Sequence, residues 1–255
     1  MGNENHIVGS SKNLSFMTLL PWIKSAVSTG NKVHLLLLDG NNVLATQVRS
    51  LGVNVIVYED SGVPHHERFL RQYDLLKNLN GYCTVTDTRD VIFQTDPAEW
   101  LKKNLGNHRI VVSSEGIAYK NEHWGDRNLR DGYSYLYEEL KNSTIYNVGV
   151  IGGYCQDVAS LCLLLYTMSK NNPAPVSDQS SLNVIVNMPL FSDIIMKSKS
   201  SEGWALHAGT LCKTKDYLRF KEHLNEPEPQ IDHNGKAWTH DGQCYSIFHQ
   251  YERIV

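Results

Sequence analysis

The first half of the chain alternates short apolar runs with longer amphipathic stretches. "HIVGS" (6–10) predicts a short first strand, and "LSFMTLLPWIKSAVST" carries apolar residues at helical spacing until Gly30 stops it. "KVHLLLLDG" (32–40) is an apolar core bounded by turn residues, which predicts a buried strand. "NNVLATQVRSLG" (41–52) predicts a helix from an Asn cap to a Gly stop, and "VNVIVYE" (53–59) another strand. "HHERFLRQYDLLKNLNG" (65–81) places apolar residues at 69, 70, 73, 75, 76 and 79, a helical stripe whose start is His65-His66-Glu67. "YCTVTD" (82–87) is a fourth strand. Strand and helix in this alternation predict a mostly parallel sheet with right-handed crossovers.

The second half is less regular. "PAEWLKKNLG" (97–106) predicts a short helix opened by Pro97 and capped by Asp96. "HRIVVSSEG" (108–116) predicts a strand, and "SSEGIAYKNEHWGD" (113–126) reads as a long polar loop. "DGYSYLYEELKN" (131–142) and "DQSSLNVIVNM" (178–188) predict helices, and "CQDVASLCLLLYTMSKN" (155–171) a buried one. In "TIYNVGVIGG" (144–153) the glycines suit either a strand-to-helix turn or a close approach of backbone to a ligand. The tail holds two strand-like runs, "GWALHAGT" and "CYSIFHQYERIV", around a polar insert. No repeat, low-complexity tract or linker divides the chain. The expectation is one α/β domain over 1–255: a mostly parallel central sheet flanked by helices, with a mixed C-terminal part.

Composition removes some classes of function. A net charge of −3 and a pI near 6.4 argue against a nucleic-acid binder or a membrane-surface protein. The apolar runs are too short to span a bilayer, and the first residues are polar, so no transmembrane segment or leader is expected. The five cysteines form no CxxC pair, and Cys83 and Cys162 sit inside apolar runs. This predicts buried free thiols in a reducing compartment, the cytoplasm.

The candidate chemistry lies in "YCTVTDTRDVIFQTDP" (82–97), where an apolar strand ends in Asp-Thr-Arg-Asp. In open α/β sheets ligands bind beyond the carboxyl ends of the strands. Asp87 and Asp90 on one turn suit a hard divalent cation such as Mn²⁺ or Mg²⁺, which could neutralise a phosphate leaving group. Arg89 between them suits a carboxylate or a phosphate. The alternative is a solvated turn with capping carboxylates, to which Asp96 belongs.

This stretch resembles the metal-binding segment of GT-A glycosyltransferases, which carry an acidic D-x-D at the end of a central strand. The form with Arg before the second Asp, then hydrophobic-x-Phe-Gln-x-Asp-Pro, is similar to a subgroup that includes glycosyltransferase domains of large algal viruses, builders of capsid glycans. Three further stretches match in order. "YNVGVIGG" (146–153) resembles a segment lining the sugar pocket. "DQSSLN" (178–183) resembles an Asp-Gln helix start that contacts donor sugar or acceptor. "IFHQYER" (247–253) resembles a strand whose His completes the metal shell. The match runs from the helix at 66 to the C-terminus. The chain departs from the pattern by having D-x-x-D for D-x-D and by lacking the His-x-x-Gly-x-x-Lys-Pro-Trp tail of one retaining family. "LHAGTLCK" matches that tail in part, so His207 competes with His249.

The resemblance implies a GT-A, Rossmann-like domain with a nucleotide-binding half (1–105) and an acceptor-binding half (106–255). It implies transfer from a nucleoside diphosphate sugar, UDP-linked, to a hydroxyl of a glycan or glycoprotein, with retention or, alternatively, inversion. Asp87, Asp90 and His249 would hold the metal, with Arg89, Arg68, Asn147 and Gly149 toward the nucleotide sugar. Asp178 and Gln179 would orient the sugar, and Glu115 could reach the reaction centre, Glu115 or Asp178 being the base of an inverting enzyme. The 113–126 loop, with Trp124 and Tyr119, reads equally as an acceptor-binding loop whose rings stack on sugar and as an ordinary surface loop. Bland readings stand beside the others: Asp178 as a helix cap, Arg68 and Arg71 on an ion-paired helix face, His249 as a satisfied core residue. A phosphatase with Asp-x-Asp would place its motif on an early strand, and a pyrophosphorylase would need a Gly-rich N-terminal loop. A sugar-nucleotide or glycan-binding protein without turnover is the alternative outside enzymes. If the chain is viral, its compartment is the host cytoplasm.

Overall fold

The computed structural model describes residues 4–59, 62–213 and 217–254. The chain opens with β1 (His6–Ser11), α1 (Phe16–Ser28), β2 (Lys32–Leu37), α2 (Asn42–Arg49), β3 (Asn54–Val57), α3 (Pro64–Leu76) and β4 (Tyr82–Thr86). It continues through β5 (Val91–Phe93), α4 (Pro97–Asn104), β6 (Ile110–Ala118), α5 (His123–Tyr133), α6 (Tyr137–Leu140) and β7 (Thr144–Tyr154). Then come α7 (Cys155–Lys170), α8 (Asp178–Asn187), β8 (Ile195–Ser198), β9 (Ala205–His207), α9 (Ala208–Leu211) and α10 (Tyr217–Phe220). The chain closes with β10 (Gln230–Ile231), β11 (Ala237–Trp238) and β12 (Ile247–His249).

Among the described residues the central sheet has seven strands in the order β3-β2-β1-β4-β7-β6-β8. Its pairs are parallel except at β7, which runs against both β4 and β6. The carboxyl ends of β1, β2, β4 and β6 therefore share one edge with the start of β7. Helices cover both faces over two apolar cores. Trp22, Leu35, Trp100 and Trp204 lie in one, and Val8, Leu36, Phe69 and Leu182 in the other. Successive residues of β2, Leu35 and Leu36, point to opposite cores, as the two-residue repeat of a doubly covered strand requires. A small sheet, β5-β12-β9, folds the C-terminus back onto the acidic loop.

The helix caps read from sequence hold for α2 and α4: the Asn41 side chain accepts from the Leu44 N–H, and Asp96 accepts from the Ala98 N–H. Three segments differ. The stretch 113–126 is not a polar loop, because β6 runs on to Ala118 through register shifts at Val112/Ser113 and Ser114/Ala118. The chain then makes a short 3-10 turn around fully buried Tyr119. Glu122 opens α5 early, accepting from the Trp124 and Gly125 N–H groups. The predicted helix over 131–142 is accordingly split, with a 3-10 turn at 134–136 between α5 and α6. The glycines of 149–153 are not a turn either: they lie within β7, where space is the constraint. A Cβ on Gly152 would run into the Trp204 ring, and Gly153 has φ 149° with the Arg109 carbonyl against its face. "DIIMKS" (193–198) and "VIF" (91–93) supply β8 and β5, which their lengths of four and three residues hide from periodicity.

All five cysteines are free and four are buried, as expected. Among the described residues no helix is long and apolar enough to cross a membrane. The packing of Gly152 gives a first test. Gly152→Ala should destabilise the fold by about 1–3 kcal/mol, the scale of overpacking a filled core, read as a lowered melting temperature. An unchanged melting temperature would mean that the Trp204 contact is not tight.

Candidate functional site

β4 ends at Thr86, and the Asp87 N–H still donates to the Gly149 carbonyl of β7 at 2.9 Å. Asp87 is thus the first residue past the strand yet remains held by the sheet. Asp90 is fixed from the other side, because its carbonyl accepts from the Gln250 N–H at 2.7 Å. β12 pairs with β5 and β9, with His249 opposite both Val91 and His207. The chain turns immediately after His249 through Gln250, whose φ of 60° is left-handed and rarely adopted by a non-glycine residue. The Gln250 side chain accepts from the Gly209 N–H at 2.8 Å and locks this turn to the start of α9.

These elements bring Asp87, Asp90 and His249 together, with one ligand atom from each lying within 4.8 Å of the others. His249 Nε2 is 3.7 Å from the Asp87 carboxylate and 3.5 Å from that of Asp90. His207 takes a different place. It is fully buried behind His249, its Nδ1 2.9 Å from His249 Nδ1 and its Nε2 2.6 Å from Ser113 Oγ. The row Ser113–His207–His249 has two settings. If His207 Nε2–H donates to Ser113, His207 Nδ1 accepts from His249 Nδ1–H, and His249 Nε2 carries a lone pair facing the carboxylates. If Ser113 donates instead, both imidazoles take the other tautomer: His207 Nδ1–H donates to His249 Nδ1, and His249 Nε2–H faces the carboxylates. The site can therefore receive a cation or a proton at one position. The two carboxylates suit Mn²⁺ or Mg²⁺, and the imidazole is a donor that Mn²⁺ takes more readily than Mg²⁺, so the residues fit the divalent cation that the acidic motif implies, Mn²⁺ better than Mg²⁺.

The electrostatics follow this geometry. Burial works against a charged His249, but the hydrogen bond and charge of Asp90, with Asp87 and Glu115, outweigh it and raise its pKa. Burial, helped by the nearby His249, pushes His207 well down. Burial would raise Asp90, but His249 and Arg253 hold it below the ordinary carboxylate range. Gly149 makes room for the cluster. A Cβ there would lie 2.7 Å from Asp87 Oδ2, 2.7 Å from His249 Cε1 and 2.9 Å from Asn147 Oδ1.

A second set of groups meets these. Arg68 on α3 is largely buried and bridges two acids, donating through Nη1 to Asp87 and through Nη2 to Asp178 at 2.8 Å. Ser177, not Asp178, occupies the N-cap position of α8; Asp178 accepts from the Gln179 N–H at 3.0 Å and faces Arg68, with His65 Nδ1 4.0 Å away. Where β7 leaves regular pairing, side chains of α8 replace a strand. Gln179 Oε1 accepts from the Val148 N–H at 2.8 Å, and Asn183 bonds both the N–H and the carbonyl of Tyr146. Asn147 Oδ1 accepts from the Gly149 N–H at 2.7 Å. These backbone donors fix both amides, so that Asn147 Nδ2 and Gln179 Nε2 donate to the same oxygen of Glu115, at 2.7 and 2.8 Å. Glu115 lies deep in the pocket wall, and burial outweighs these bonds and pushes its carboxyl up to about 7.

All ten residues predicted from sequence line one pocket of about 670 Å³, a volume suited to a nucleotide-sized ligand. Arg89 stands at its rim, 66% exposed and 3.6 Å from Glu252. Arg71 is not among the lining residues; it approaches Asp74 on its own helix. The sequence reading assigned no role to Gln250, Arg253, Ser113 or Asn183, although Gln250 and Arg253 lie in "IFHQYER" and Asn183 in "DQSSLN". Only the left-handed turn and the contacts between β7 and α8 give Gln250 and Asn183 their work.

No protein-family model and no curated protein matches this chain. Among solved structures it is similar to the glycosyltransferase GlyE of Streptococcus pneumoniae TIGR4, with a TM-score of 0.55 at 16% identity over 98% of this chain and 55% of that one. The apo-form structure of GlyE gives 0.57 at 17% identity over 97% and 54%. The chain spans about half the length of those structures. The likeness is one of fold: the seven-stranded, mainly parallel sheet flanked by helices is consistent with a GT-A glycosyltransferase fold.

Glu115 provides a test that needs no substrate. Its folded pKa lies above the ordinary value of 4.5, so the folded state holds its proton more tightly than the unfolded state. That contribution to stability is complete below about pH 4.5 and is lost as pH rises through about 7. Glu115→Gln keeps the accepting oxygen and removes the charge. The melting temperature of Glu115→Gln minus that of the parent should be small near pH 5 and more positive at pH 8. A difference independent of pH would show that Glu115 does not ionise in a buried setting.

Proposed function

We propose that the protein is a metal-dependent glycosyltransferase that moves a sugar from a nucleoside diphosphate, UDP in the first instance, to a hydroxyl of a glycan. The observation that carries this reading is the meeting of Asp87, Asp90 and His249 at the end of β4, inside a large pocket on a GT-A-like sheet. The likeness of "TVTDTRDVIFQTDP" to the algal-virus subgroup supports the same reading and points to a builder of surface glycans. A divalent cation held by Asp87, Asp90 and His249 would supply charge neutralisation for the departing diphosphate.

The chain's own residues would do the rest. Ser10, Ser11 and Leu38 line the pocket at the ends of β1 and β2 and would receive the nucleoside. Arg68, tied to Asp87 and Asp178, would hold the acidic floor in register beneath the sugar. Asn147 and Gln179, pinned by backbone N–H groups, would each offer a remaining N–H to sugar hydroxyls. In transfer with retention, the acceptor oxygen bonds to the anomeric carbon on the face from which the diphosphate leaves. The acceptor proton then passes to the departing phosphate oxygen, and no protein base is needed. A second reading is favoured by one observation, the Glu115 carboxyl pushed up to about 7. A carboxylate with that pKa suits a general base for inversion. Asp178 suits that role less well, since Arg68 already holds it.

Two experiments test these readings. Mn²⁺ binding by calorimetry should fall by about a hundredfold in His249→Ala and by about tenfold in His207→Ala, the latter being the scale for a residue that orients a ligand. Binding should weaken as pH falls, because a raised His249 pKa makes the proton a stronger competitor. The opposite order of the two variants would transfer the ligand role to His207. For stereochemistry, proton NMR of the first product of UDP-sugar turnover should show the donor's anomeric configuration, with Glu115→Gln retaining most turnover. An inverted product with turnover lost in Glu115→Gln would establish the base.

A further inference from the structure

Apart from Glu115, one wall of the pocket takes no part in the scheme above. It is formed by Glu115, Glu122, Trp124, Val176 and Phe220. Trp124 is 52% exposed, uncommon for a large aromatic ring, yet its backbone is pinned. Its N–H is capped by Glu122, and the helix it opens is anchored by buried Leu129 and Tyr133 in a core shared with Tyr119 and Phe220. Asn128 on the same helix donates to the Val176 carbonyl, tying α5 to the link before α8. The ring is thus held open to the pocket by structure on both sides and stays uncovered. The nearby ionisable groups in this wall are carboxyls: Glu122 acts electrostatically on Glu115. The basic side chains of the pocket lie on its other walls: Arg68 between Asp87 and Asp178, Arg89 facing Glu252, Arg253 acting on Asp90, His65 near Asp178, and Lys12 past β1, donating to the Gly62 carbonyl.

We propose that this wall is the acceptor subsite, and that it takes an uncharged saccharide whose C–H face stacks on Trp124 while Glu122 and Glu115 accept from its hydroxyls. The inference rests on the glycosyltransferase reading and narrows the acceptor to a neutral sugar. Three features carry it. A rigid aromatic face offers apolar area at low entropic cost, and sugars present a matching apolar face. Two carboxyls beside that face accept hydrogen bonds from hydroxyls, and the Glu122 carboxylate disfavours an anionic group. The wall is continuous with Asn147 and Gln179 through Glu115, so a sugar stacked there has its hydroxyls directed toward the proposed transfer site.

The test separates this subsite from the donor reading. Binding of UDP with Mn²⁺ is measured by calorimetry in the parent, Trp124→Ala and Trp124→Phe. Saturation-transfer NMR with UDP and Mn²⁺ present then compares lactose and cellobiose with cellobiouronic acid. All three proteins should bind UDP alike. A neutral disaccharide should bind the parent, weaken by about tenfold or more in Trp124→Ala, the scale of losing an aromatic anchor, and largely recover in Trp124→Phe. The uronic acid should bind more weakly than cellobiose. Saccharide binding without UDP binding would overturn the donor reading and leave the platform standing. UDP binding with no saccharide binding, with saccharide binding indifferent to Trp124, or with the uronic acid preferred would overturn the platform.

Discussion

Arg68 is the constraint on which the site depends. Asp87, Asp90, Asp178 and Glu115 converge on one pocket, and such a group of carboxyls would repel itself and the fold. The guanidinium of Arg68 joins the acid at the end of β4 to the acid at the start of α8, two elements more than ninety residues apart in sequence. Desolvation opposes its charge, but the two carboxylates outweigh it and keep the arginine protonated. Removing a buried partner of this kind leaves uncompensated charge, which is far more costly than any surface pair. The same bridge settles which acids remain for chemistry. Asp178 is committed, Asp90 answers to His249, and Glu115 stands apart with only neutral amides as partners.

Behind the site the fold uses backbone irregularity to aim side chains. β7 runs on beyond the end of β4, whose pairing stops at Thr86 opposite Val150, and Asn183 and Gln179 satisfy the backbone groups of Tyr146 and Val148 there. A buried N–H or carbonyl without a partner costs free energy, so this extension of β7 and the α8 side chains require each other. The consequence is functional. Gln179, which repairs the strand at Val148, turns its amide N–H to Glu115, as does Asn147. Gln250 follows the same logic at the C-terminus, where a left-handed turn is held by bonds to Asp90 and Gly209 and sets His249 against the acidic loop.

Local sequence determined a good part of this protein. Apolar runs and caps marked β1 to β4, α1 to α4 and α7, because a doubly covered sheet needs strands that are apolar on both faces and helices with one apolar stripe. The acidic turn after the fourth strand was legible because hydrophobic periodicity stops where charge begins. The polar reading of 113–126 failed because β6 bulges there, which breaks the two-residue alternation while the strand goes on. The glycines of β7 were ambiguous because sequence cannot say that Trp204, Asp87 and His249 occupy the space beside them.

What sequence determined by itself was the order of elements, the buried thiols, and the acids and histidines available for a metal. Tertiary structure alone decided which imidazole, His249 or His207, faces the carboxylates. Both end short strands, and they sit side by side in parallel register. Only the packing of β12 against β5 turns one imidazole to the carboxylates and leaves the other behind it on Ser113. Tertiary structure also decided the partner of Arg68, the commitment of Asp178 and the place of Trp124 beside the pocket. Each is a contact between segments distant along the chain. Local propensity carries no information about such contacts, because they arise when the sheet order and its one reversed strand bring distant ends to a single edge.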